Sequence, residues 1–97
     1  MPSKDVRSVG HIWKFELGMG YQEVEMPPGA KLLHVAEQRN RPTLWAACDP
    51  MTPATMRRMV RVVMTGEPEP ADAQYVGTVI LEGGDFVVHV YDEGEKP

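Results

Sequence analysis

The sequence predicts an all-β domain, a single small antiparallel sandwich or barrel of about seven strands. Three observations lead there. Apolar residues recur with period two or in short continuous runs. Turn signals separate those runs at intervals of roughly 10–14 residues. The 9 prolines and 9 glycines fall between the apolar runs, in no repeat, which marks turns and not disorder. With 97 residues, the whole chain is expected to be one domain with one modest core. Residues 1–10 and 93–97 are expected to be frayed ends.

The segments read in order as follows. "HIWKFEL" puts Trp13, Phe15 and Leu17 on one face of a strand and Lys14 and Glu16 on the other. "YQEVEM" alternates Val24 and Met26 with Glu23 and Glu25, and "PPG" then breaks the ladder. "AKLLHVAEQ" places Leu33 with Val35, opposite Leu32, His34 and Ala36. After the "RNRP" turn, "TLWAAC" sets Leu44, Ala46 and Cys48 against Trp45 and Ala47. Neither face is polar, so this strand is expected to be covered on both sides.

"DPMTPATMRRMVRVVMTG" fits two descriptions. One is a helix capped by Thr52, with Met56, Met59, Val60 and Val63 as its buried stripe. The other is a loop and then a strand with Val60, Val62 and Met64 facing in. Three valines in four positions favour the strand, and a single helical turn near 53–57 would satisfy both signals. "GEPEPADAQ" is a polar loop, expected to be the most mobile segment. "YVGTVILEGGDFVVHVYDE" is a hairpin turning at Gly83 and Gly84, with Gly77 marking a bulge or a close packing contact.

The net charge of −4 is unevenly spread. Residues 38–66 hold Arg39, Arg41, Arg57, Arg58 and Arg61 against Asp49 alone, whereas residues 67–97 hold eight acids against Lys96. An acidic chain with one basic segment does not favour a nucleic-acid partner. No apolar run reaches the ~20 residues of a membrane helix, and the first ten residues lack the apolar stretch of a secretory signal.

Chemistry finds little footing. Cys48 has an apolar face and no adjacent base, so it reads as a packed thiol rather than a nucleophile. The three histidines, His11, His34 and His89, form no metal-ligand spacing, although His34 and His89 would be neighbours if their strands paired. "LGMGYQ" and "EGGDF" open no helix and read as hairpin glycines, not phosphate cradles. Trp13 and Trp45 read as core, and Tyr75 and Tyr91 as half-exposed. No catalytic residue, cofactor or metal is therefore expected. Met51, Met56, Met59 and Met64 lie among the arginines, and methionine adapts to varied surfaces. A partner-binding patch is expected on Met56, Arg57, Arg58 and Arg61; the competing reading has the methionines filling the core.

The ordered signature "IWKFEL", "MPPGAKLLHVAEQ", "LWAACDP", "RVVMTGEP", "YVGTVILEGGDFVVHVYDE" resembles a family of small uncharacterised proteins of tailed phages and prophages, over about residues 11 to 92. The chain departs from that pattern at "AAC", where a larger apolar residue is usual before Asp49, and in its methionine-rich 51–59 stretch. The resemblance implies no activity, but it implies a setting: a phage product in the cytoplasm of a host bacterium. The expected function is non-catalytic binding of a host protein, in host takeover or counter-defence. Alternatives are a nucleotide-sequestering protein whose arginines meet phosphate, and a minor virion or assembly component. Homo-oligomers through sheet edges are a further expectation.

Overall fold

The computed structural model describes residues 10–97, which form seven strands. They are β1 (His11–Glu16), β2 (Gly20–Met26), β3 (Lys31–Gln38), β4 (Arg41–Cys48), β5 (Met56–Met64), β6 (Gln74–Leu81) and β7 (Phe86–Lys96). Two antiparallel sheets result. A three-stranded sheet has the order β1-β4-β3 and a four-stranded sheet the order β2-β5-β7-β6. The shortest dimension, 20 Å, matches two sheets stacked about 10 Å apart with side chains on each outer face.

The core lies between the sheets. Leu17, Val35, Leu44, Ala46 and Cys48 meet Met26, Val60, Val62, Val79, Val88 and Val90, all nearly or fully buried. Period two explains the selection: Pro42, Leu44, Ala46 and Cys48 are the inward row of β4, and Arg58, Val60 and Val62 that of β5. Loss of the alternation marks the bulges. The β3–β4 register shifts between Leu32 and His34, which turns Leu33 out, 43% exposed, while Leu32 and Val35 pair with inward-facing Ala46 and Leu44. Leu33 and Val35 therefore do not share a face as the simple alternation predicts.

The architecture is a sandwich with one partly closed side. β3 runs beside β6 without a hydrogen-bonded ladder. Gly77 holds the seam tight, because a Cβ at that position would lie 2.6 Å from Val35 Cγ2. The register of β6 on β7 also shifts between Tyr75 and Gly77, so both signals read in that glycine, a bulge and a close contact, are present. At the seam's far end Asn40 joins Glu82. Its Oδ1 accepts the Glu82 N–H at 2.8 Å, and its Nδ2 donates to the Glu82 carboxylate. Asn40 also takes a left-handed conformation (φ 60) in the β3–β4 turn, which asparagine tolerates better than most residues. Asn40→Ala is expected to lower stability by about 1 kcal/mol, read as a shift in the urea midpoint at unchanged slope.

Two expectations are corrected. Residues 53–57 make no helical turn: a turn covers 50–52, and β5 begins at Met56. The Asp49 carboxylate builds that turn by accepting the Met51 N–H and the Thr52 hydroxyl, so Thr52 caps no helix. The carboxyl end is not frayed through 93–97, because β7 runs to Lys96, and Glu93, Glu95 and Lys96 all make ion pairs. Met64 shares the inward row of Val60 and Val62 and pairs with buried Val88, but at the end of β5 it is 36% exposed. The expectation for residues 1–10 falls outside the described residues except at Gly10. The hairpin at residues 82–84 forms as read, through a short 3-10 turn in which Gly83 (φ 65) and Gly84 (φ 109) supply the left-handed backbone.

Candidate protein-binding face

The four residues expected to bind a partner do not form one patch. Arg58 points inward and is 8% exposed. Its guanidinium donates to Asp92 at 2.9 Å, to Glu95 at 3.3 Å and to the Ala30 carbonyl at 2.6 Å. Glu95 also accepts the Gly29 N–H. The cluster thus closes one end of the core and ties the "PPG" turn to β7.

Arg57 and Arg61 sit on the outer face of the four-stranded sheet, where carboxylates hold both. Arg57 lies 3.7 Å from Glu23 and donates to the Pro97 carbonyl. Arg61 donates to Glu93 at 2.7 Å, and its guanidinium stacks over the Tyr21 ring. Met56 is half-buried and pairs with Met26. This face is a neutralised charge ladder rather than an available basic patch.

Directions of ionisation agree. The Lys96 ammonium, with the Tyr21 hydroxyl, holds the Glu23 carboxyl below its ordinary range, and the Met51 N–H and Thr52 hydroxyl do the same for Asp49. A carboxyl depressed in the native state contributes stability above its unfolded value and loses it as pH falls through the folded value. The unfolding midpoint is therefore expected to fall as pH drops below the ordinary 4.5. Glu23→Gln should flatten part of that decline in denaturant titrations from pH 6 to pH 3.

Cys48 is 1% exposed, and its thiol donates to the Ala46 carbonyl. Burial pushes that thiol up, so labelling by a thiol reagent is expected only on unfolding, at the rate at which denaturant opens the protein. His34 and His89 are not neighbours. His34 lies on the three-stranded sheet, while His89 in the other sheet meets the Thr65 hydroxyl at Nε2 and the Thr78 hydroxyl at Nδ1. Among the described residues, no cluster of three or more His, Cys, Asp or Glu is placed to hold a metal ion.

Two grooves exist. One of about 470 Å³ lies between the 67–71 loop and the four-stranded sheet, lined by Arg61, Glu67, Glu69 and Glu93. That loop packs back onto the sheet: Glu67 accepts the Met64 N–H, and the Tyr91 hydroxyl donates to Glu69. Tyr91 is thereby buried, not half-exposed as expected. The other groove, about 330 Å³, opens where β3 and β6 diverge beside Arg58 and Asp92. In both, the arginine already faces carboxylates.

The outer face of the three-stranded sheet differs. Trp45 is half-buried at its centre, on β4, with Lys14 of β1 and His34 of β3 as its cross-strand neighbours. Ala47 lies in the next row between Ile12, 65% exposed, and Lys31. Lys14 Nζ donates to Gln38 Oε1 at 2.7 Å. Register makes this bridge cross β4 above Thr43, which explains why Thr43 is fully buried on an outer row. No second layer covers this face among the described residues. β4 is thus covered on one side by the core and on the other only by its neighbours' side chains, which corrects the two-sided cover expected for "TLWAAC". The strand order β1-β4-β3, invisible locally, assembles this face; the one sequence signal was a large ring in a strand with no polar face.

Fold and site together define a small β-sandwich with an open, tryptophan-centred sheet face. Residues 9–97 match the model of the family described as a domain of unknown function, DUF7352. The chain belongs to that family. No curated protein and no solved structure matches it.

Proposed function

We propose that this protein is a non-catalytic binding domain that docks a host protein through the outer face of its three-stranded sheet. Carrying the reading is the open surface itself: half-buried Trp45 at the centre, exposed Ile12 beside it, and no covering layer among the described residues. Aromatic side chains on a rigid sheet supply binding energy at low entropic cost. The sequence resemblance supports the setting of a phage-encoded protein acting on a bacterial target in the host cytoplasm. Among the described residues no helix is long and apolar enough to cross a membrane, which accords with that setting.

Committed arginines weigh against the nucleotide-sequestering alternative, since Arg58 and Arg61 already meet carboxylates. Edge-to-edge oligomers and a virion role would use β1 and β2, the sheet edges away from the β3–β6 seam.

Affinity capture from lysate of the host bacterium tests the reading. Ile12→Asp, at an exposed position, is expected to leave the fold intact by circular dichroism and to remove the dominant captured protein. Ile80→Asp, at an equally exposed position on the four-stranded sheet, should retain it. Capture that survives Ile12→Asp and fails with Ile80→Asp would move the binding site to the other sheet.

A further inference from the structure

We infer that the partner presents an acidic surface to the Trp45 face. This deepens the proposed function and rests on it.

Arg57, Arg58, Arg61 and Lys96 belong to the four-stranded sheet, and each has a carboxylate within ion-pair distance. Lys14, Lys31 and Arg41 lie on the outer rows of the three-stranded sheet, opposite Trp45, Ala47 and Gln38 in register. All three are exposed, and none has a carboxylate within ion-pair distance among the described residues. Lys14 donates to the neutral Gln38 amide. His34 adds a ring beside Trp45, and the one carboxylate on these rows is Glu16, paired with Thr43 at the margin.

Among the described residues, a protein of net charge −4 therefore keeps a basic rim without ion-paired carboxylates around the apolar centre of this face. Sheet faces left to solvent ordinarily mix signs, as the opposite face here does. A basic rim around an aromatic anchor fits an occupant with apolar residues at its centre and Asp or Glu around them. Residues 1–9, "MPSKDVRSV", carry Lys4 and Arg7 against Asp5, so their charge does not complement the face. Single-stranded nucleic acid uses several stacking rings along a groove, whereas this face offers one tryptophan, so an acidic protein surface is the better fit.

Fluorescence anisotropy with defined probes tests the inference. The probes are a labelled twelve-residue peptide alternating Glu and Leu, its Lys and Leu counterpart, and a twelve-nucleotide oligo(dT). The Glu-Leu peptide is expected to bind, the Lys-Leu peptide not. Lys31→Glu combined with Arg41→Glu should weaken the Glu-Leu complex about tenfold, since two exposed charges are reversed at the rim, while leaving the unfolding midpoint unchanged. No binding of the Glu-Leu peptide, equal binding of both peptides, or tighter binding of oligo(dT) would overturn the inference. A concentration-dependent multimer dispersed by Lys31→Glu would overturn it in favour of a second copy of this chain. The failures are separable: if lysate capture depends on Ile12 but the Glu-Leu peptide does not bind, only the charge assignment falls. If capture ignores Ile12, the docking face itself falls.

Discussion

Arg58→Met is expected to destabilise the domain by about 3 kcal/mol, the lower end of the range for breaking a buried ion pair from one side. The substitution keeps the aliphatic stem and removes the charge. It strips Asp92 and Glu95 of their common cation and the Ala30 carbonyl of its donor. The Asp92 and Glu95 side chains are 17% and 27% exposed, so water reaches them in part, which is why the lower end applies. The Ala30 carbonyl and the Gly29 N–H lie in the turn that the cluster ties to β7, so loss of the guanidinium also loosens the "PPG" turn. Urea unfolding at neutral pH measures the effect. Adding Asp92→Asn and Glu95→Gln to Arg58→Met should recover part of the loss, because uncompensated charge and not missing attraction sets most of the cost. Arg57→Met, one residue away but exposed, should change stability by no more than about 0.5 kcal/mol. Equal losses at the two arginines would show that the cluster at the end of the core carries no special weight.

The contrast between Arg57 and Arg58 also marks how far the sequence could be read. The strands were legible because period-two alternation is a local property: "YQEVEM", "RVVM" and the run around Gly83 and Gly84 declare faces and turns within a few residues. Inward placement of Arg58 follows from the same parity, since it shares a row with Val60 and Val62. A charge in that row is acceptable only because β7 brings Asp92 and Glu95 opposite it, after a bulge between Met59 and Val60 shifts the register. Those partners are 34 and 37 residues away, and nothing near Arg58 announces them. Trp45 failed for a related reason. Absence of polar residues in its strand implies cover by a second layer. Instead, a lysine and a glutamine from the two flanking strands reach across β4. Long amphipathic side chains can cover apolar surface that no element of secondary structure covers, and strand order decides which ones are near.

Gly77→Ala tests the closure of the seam. Alanine in a strand interior ordinarily gains roughly 0.5–1 kcal/mol over glycine through lower chain entropy. Here the sign is expected to reverse. The added methyl would lie 2.6 Å from Val35 Cγ2, and Val35 is 3% exposed with a β-branched side chain that has little rotameric freedom. Relief must come from moving β3 away from β6, and overpacking of this kind costs about 1–3 kcal/mol. Val35→Ala removes the opposing methyls and by itself leaves a cavity with its own cost. In the Val35→Ala background the second change, Gly77→Ala, should then be neutral or stabilising, because the new methyl enters space already vacated. A double-mutant cycle by urea unfolding would report a favourable coupling of 1 kcal/mol or more between the two positions. Additive effects would mean that β3 and β6 slide apart at little cost. The sandwich would then rest on its two hydrogen-bonded sheets alone, without the Val35–Gly77 contact that joins them along the seam.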